Sequence, residues 1–238
     1  MIKIIYIILV YTIMIMAASS GEIYNLAPKS ILQSEDPSYL VKAPEANQVI
    51  SEMLETLDQR WDIFTKEYVR ITGWKLPPNF QSQWKNHIKA FHISFVRDTK
   101  ILFQLNPSDL FCTMNPLFFH FLDHKGKISV FSHELGHVIN NLVTRNRFFN
   151  ILSSIILPYQ AQRKEEIMAD RVGHMMALLC GVSSESYVKT FEATDAFVEQ
   201  NGDRFLMESI AKEKEVHPPT SERAALARAE SALFQKSL

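Results

Sequence analysis

Five residues constrain this chain more than any others: His133-Glu134-Leu135-Gly136-His137. Two imidazoles stand four residues apart, with a glutamate beside the first. On a helix, residues i and i+4 share one face, so both rings can reach one ion. A catalytic zinc takes three protein ligands and keeps one position open, so two of the three are already in hand. Glu134 is placed to take a proton from water at such an ion. A pentapeptide this short also arises by chance on ordinary helices, so the weight falls on what flanks and follows it.

The flanks predict a helix. Ile128, Phe131, Leu135, Val138 and Leu142 recur at spacings of three and four, an apolar stripe that leaves His133 and His137 on the other side. Gly136 costs that helix about 1 kcal/mol. It also leaves room for a neighbour to approach closely.

A third ligand is available downstream in Lys164-Glu165-Glu166-Ile167-Met168-Ala169-Asp170-Arg171. Met168, Val172, Met175 and Leu179 form another stripe, and Gly181 follows as a stop. Glu166 and Asp170 are i and i+4, so both carboxylates leave one face. One can bind metal while the other accepts a hydrogen bond from a ligating histidine and fixes its tautomer. By itself such a charge run is more often a solvated helix face. Behind a His-Glu-x-x-His helix the ligand reading takes precedence.

Taken in order, the His-Glu-x-x-His helix, the Glu166-x-x-Ala169-Asp170-Arg171 helix and His217-Pro218-Pro219-Thr220-x-x-Arg223 resemble one zinc metallopeptidase family. It comprises the CAAX prenyl protease, HtpX, soluble envelope proteases and the mitochondrial Oma-type enzymes. The match runs from about Ile128 to Arg223. The resemblance implies one zinc held by His133, His137 and Glu166, with Glu134 as general base and Asp170 supporting a ligand histidine, His133. It implies a mainly α fold with a small antiparallel β-sheet, of the zincin or gluzincin type. It also implies a metalloendopeptidase acting on proteins or peptides, with envelope protein quality control as a role. The chain departs from the family before the motif helix. Members carry an Asn-Ala-Phe strand and a Pro-Gly-Gly turn there, where this chain has Asn115-Pro116-Leu117-Phe118-Phe119.

His217 precedes Pro218-Pro219, which stop a helix, and Thr220 or Ser221 can cap the next one, expected to run from Ser221 to about Phe234. A plain turn is one reading. The other puts His217 beside the metal, either stabilising an oxyanion or filling the open position at rest. Arg223 either anchors this segment to Asp170 or is solvated. His174 is expected in the core or at the surface, with an outer role at the site as the alternative. His87, His92, His120 and His124 have no ligand spacing and are read as structural.

The remainder sets bounds. Ile4 to Ala18 is an apolar run of about 15 residues behind Lys3, short of the about 20 that span a bilayer. With Ala17-Ala18-Ser19-Ser20 after it, residues 1–20 read as an export signal, cleaved or retained as a membrane anchor. The catalytic part is thus expected outside the cytoplasm, periplasmic or secreted. Residues 21–43 read as a loose lead-in and 44–238 as one domain. A net charge of −1 and 7 Gly speak against nucleic-acid binding and phosphate cradling. Cys112 and Cys180 either pair or stay as thiols.

A long helix is expected after Pro44, on Ile50, Met53, Leu57, Trp61, Phe64, Tyr68 and Ile71, ending at Gly73. Residues 91–105 alternate around Arg97-Asp98-Thr99-Lys100 as a hairpin. That hairpin is the candidate edge on which a substrate peptide adds as a strand. Phe148 to Pro158 is an apolar stretch too short to cross a membrane, expected as a buried loop, a lid or a membrane-touching patch. The rival to an enzyme is a non-catalytic zinc-containing chaperone or binding module of the same fold. A purely structural metal site is disfavoured by the absence of a Cys pair near the motif.

Overall fold

The structure, a computed structural model, describes residues 40–88, 91–96, 102–106, 110–144, 158–201 and 217–234. Residues 1–39, 97–100 and 148–157 lie outside them, so the expected export signal, most of the expected lead-in, the middle of the expected hairpin and the apolar stretch before Pro158 are not among the residues described. Among the described residues no helix is long and apolar enough to cross a membrane.

The described residues form eight helices and four short strands. The strands are β1 (Leu40–Lys42), β2 (His92–Val96), β3 (Phe103–Asn106) and β4 (Phe111–Met114). The helices are α1 (Pro44–Gln59), α2 (Trp61–Thr72), α3 (Phe80–Ile88), α4 (Pro116–Phe121), α5 (His124–Thr144), α6 (Pro158–Leu179), α7 (Ser184–Asn201) and α8 (Thr220–Phe234).

The mainly α content is as expected, but the antiparallel sheet is not. The strands lie in the order β1-β2-β4-β3, and the central pair, β2 and β4, runs parallel with Ile93 opposite Cys112. The two outer pairings are antiparallel. β2 and β3 are therefore not hairpin partners, because β4 lies between them. The alternation at 91–105 marks two strands correctly, yet a period of two is the same whichever neighbour a strand takes. β1 falls within the stretch read as a lead-in. Where β1 ends, the Asn47 amide continues its ladder: Ile93 N–H donates to Asn47 Oδ1 at 2.9 Å, and Asn47 Nδ2 donates to the Ile93 carbonyl at 2.9 Å.

The expected long helix is two helices broken at Arg60, whose φ of −111° and ψ of 25° leave the helical region. The break has a use, since Arg60 Nη1 donates to the Leu179 carbonyl at 2.9 Å and satisfies the end of α6. Gly73 closes α2 in the left-handed conformation at φ 70°, which only glycine adopts freely. The stripe of α1 and α2 is core: Ile50, Met53, Leu57, Phe64, Tyr68 and Ile71 are buried. Both cysteines are free thiols, Cys112 buried on β4 and Cys180 beyond α6, where burial pushes the thiol up to about 11.

On α5, Phe131, Leu135 and Val138 are buried against the core, as the stripe predicts. α6 is apolar over more of its circumference, with Ala169, Val172, Met175, Met176, Ala177 and Leu179 all buried. It packs between α5, α8 and α2 and brings its acidic face to the histidines of α5.

Candidate metal centre

His133 Nε2 and His137 Nε2 face each other at 3.2 Å. Glu166 Oε2 lies 3.4 Å from His133 Nε2 and 3.4 Å from His137 Nε2. The three donors form a nearly equilateral triangle. In a tetrahedral site with bonds of about 2.0–2.1 Å, neighbouring donors stand about 3.3–3.4 Å apart. Among the described residues this is the one group of three or more His, Cys, Asp or Glu side chains whose ligand atoms are mutually this close.

Electrostatics agree with the geometry. Glu166 Oε2 is buried, and no approach to it has hydrogen-bond geometry. Burial opposes the charge on Glu166, but the imidazoles of His133, His137 and His217 outweigh it and hold the carboxyl well below the usual carboxylate range. Burial likewise opposes protonation of His133, yet the carboxylates of Asp170 and Glu166 outweigh it and raise its pKa to about 10. The cluster thus calls for a positive charge between the imidazoles and the carboxylate, as a proton or as a metal ion. An orphaned buried oxygen and two converging nitrogens fit a borderline cation such as zinc.

Behind the triangle lies a second layer. Asp170 Oδ1 accepts from His133 Nδ1 at 2.8 Å. Arg223 on α8 grips the same carboxylate with two nitrogens, Nε donating to Oδ2 at 2.7 Å and Nη2 to Oδ1. Burial opposes the charge on Asp170; His133 and Arg223 outweigh it and lower its pKa. The Arg223 guanidinium lies 3.3 Å from the ring centre of Phe191, which in turn packs on the edge of His133 at 6.3 Å. Tyr187 OH donates to the Asp170 carbonyl at 3.2 Å.

No known protein family, characterised protein or solved structure matches this chain. The likeness to zinc metallopeptidases therefore rests on these residues themselves.

His217 lies beside Glu166. Its Nδ1 is 2.9 Å from Glu166 Oε2, and its ring is not a member of the mutually close triangle. Arg223 anchors its segment to Asp170, the first of the two readings given for it. Neither capping residue caps α8: Thr220 Oγ1 donates to Asp195 at 3.0 Å, while the Pro219 carbonyl accepts from Glu222 and Arg223. His174 is a core residue, bonded through Nε2 to Ser184 Oγ at 2.9 Å. His92, His120 and His124 are exposed and take no part.

Tyr187 and Phe191 were not singled out from the sequence. Their i, i+4 spacing with Phe197 and Val198 beyond reads as one more apolar helix face. Nothing local marks that face as the backing of a histidine.

Proposed function

We propose that this chain is a zinc-dependent metalloendopeptidase, with His133, His137 and Glu166 holding one ion. The single observation that carries the reading is the donor triangle with edges of 3.2, 3.4 and 3.4 Å, two of its corners on α5, the helix that also bears Glu134, and the third on α6. When bound, zinc lowers the pKa of water and polarises a carbonyl.

The chain's own residues supply the rest. Glu134 follows His133 on α5 and is half-buried. Among the described residues no side-chain hydrogen bond or salt bridge ties it down, so its carboxylate is free to take a proton from water and pass it to the leaving amine. Asp170 holds the Nδ1–H of His133, which leaves Nε2 as the donor to metal. Substrate adds as a strand to the outer edge of β3, which no other strand among the described residues pairs, and whose Phe103 ring sits 6.0 Å from Phe131, two residues before His133. β2, paired on both sides, offers no edge. The N-terminal apolar run supports a site of action outside the cytoplasm, with turnover of envelope or secreted proteins as the proposed role.

The test is metal analysis of the purified full chain together with cleavage of casein. One zinc per chain, cleavage abolished by a chelator and restored by zinc, is the expected result. Bound zinc without cleavage by the wild type would instead support the non-catalytic module.

A further inference from the structure

The zinc reading requires two helices, far apart in sequence, to hold their donors at bonding separation. Metal–ligand distances in such sites stay within about 0.2 Å of their standard values. Something must set the distance between α5 and α6 with that accuracy.

Two glycines stand where the helices touch. A Cβ on Gly136 would lie 2.6 Å from the Ala169 carbonyl oxygen and 3.1 Å from Ala169 Cα. A Cβ on Gly173 would lie 2.7 Å from His133 Cα, 2.8 Å from His133 N and 2.8 Å from the Ser132 oxygen. Every one of these neighbours is backbone, so no side chain can swing aside. The contacts run antiparallel, 136 against 169 and 133 against 173. They fall inside the motifs: Gly136 between the two histidines, Ala169 between Glu166 and Asp170. Gly173 rests on the backbone of a ligand itself. Both glycines sit in helix interiors, where glycine weakens a helix.

We propose that Gly136 and Gly173 are positioning residues for the metal ligands, setting the α5–α6 separation at which His133, His137 and Glu166 share one ion. This rests on the zinc reading above. Carbon atoms in contact settle about 3.5–4.0 Å apart, so a methyl group at either position must open the crossing by about 1 Å. That exceeds the tolerance of the ligand triangle several-fold, and it moves Asp170 away from His133 as well.

The experiment titrates Zn2+ and the larger Cd2+ into the metal-free full chain, as wild type, Gly136→Ala and Gly173→Ala, against a chromophoric competitor. Gly126→Ala is the control. It lies on the first turn of α5, and a Cβ there meets only side-chain atoms, Asp123 Oδ1 at 3.1 Å and two carbons of Leu122. The expected result is a Zn2+ affinity lower by at least tenfold in Gly136→Ala and Gly173→Ala, in line with losses from displaced supports of metal ligands. Cd2+ should lose less, so the Cd2+-to-Zn2+ preference rises, while Gly126→Ala matches wild type. Zn2+ affinities within twofold of wild type would overturn the proposal. So would equal losses for both ions, an equal loss in Gly126→Ala, or apo variants without helical circular dichroism, since the glycines would then serve folding rather than placement. A wild type that binds no Zn2+ would overturn the zinc reading itself, an outcome visible before any variant is titrated.

Discussion

Asp170 Oδ1 accepts a hydrogen bond from His133 Nδ1 at 2.8 Å, and this bond decides which nitrogen of His133 faces the site. With one proton held on Nδ1, Nε2 is the nitrogen left to take either a second proton or a metal ion, and it lies 3.2 Å from His137 Nε2. Arg223 holds the carboxylate from the other side, so Asp170 cannot turn away. Asp170→Ala should weaken zinc roughly 10- to 100-fold without emptying the site, as losses of such supporting bonds do. Competition titration measures it, and wild-type affinity in that variant would remove Asp170 from the site.

Glu134→Gln changes no ligand. Zinc content should stay at the wild-type level while peptidase turnover falls at least about a hundredfold, the usual worth of general-base assistance. Near-normal turnover in this variant would show that another group takes the proton.

Glu166 and Glu165 separate cleanly. Neighbours on a helix point about 100° apart, and only Glu166 belongs to the donor triangle, Glu165 being exposed. Glu166→Ala should lose both metal and activity, and Glu165→Ala should lose little of either. Metal analysis giving the reverse order would shift the ligand register by one residue.

His217 Nδ1 lies 2.9 Å from Glu166 Oε2, while its ring centre stays 6.4 Å from that of His133, so its removal should act mainly through the carboxylate. His217→Ala should weaken zinc by about tenfold, at the low end for a residue that supports a ligand. Unchanged affinity combined with faster cleavage would instead point to a resting block. Unchanged affinity and unchanged kinetics would leave the segment as a turn.

His174 gives the protein a pH-dependent stability distinct from the metal site. Burial lowers its pKa to about 4, against the opposing charges of Glu230, Asp170 and Glu185. Below its ordinary value near 6.5 the unfolded chain binds a proton that the folded chain refuses. The contribution is therefore intact above about pH 6.5 and is lost as pH falls towards 4, by up to roughly 3 kcal/mol. Urea unfolding of the metal-free protein at pH 7 and pH 4.5 measures the loss. His174→Gln, which cannot titrate, should show a smaller difference between the two pH values, and an undiminished difference would assign the effect elsewhere.

The helices and the identity of the candidate ligands are legible along the chain because both are local. An α-helix bonds each residue to one four positions away, so the spacing of His133 and His137, and of Glu166 and Asp170, is already geometry. The stripes through Phe131 and Leu135, and through Val172 and Leu179, state in the same way which face is buried. Gly73 and Gly181 mark helix ends for an equally local reason, a backbone conformation that disfavours a Cβ.

What joins distant segments had to come from the tertiary structure. Strand alternation is blind to partner and direction, so the parallel pairing of β2 with β4 and the exclusion of β3 from β2 were not readable from residues 91–105. The break at Arg60 depends on a carbonyl at Leu179, 119 residues away. The grip of Arg223 on Asp170 and the seat of His217 on Glu166 depend on how α8 and the residues before it lie across α6. Phe191 backs His133 only because α7 returns to that side. Local hydrogen bonding specifies each helix; the packing of helices against one another, which no spacing within a helix encodes, specifies where their charged faces meet.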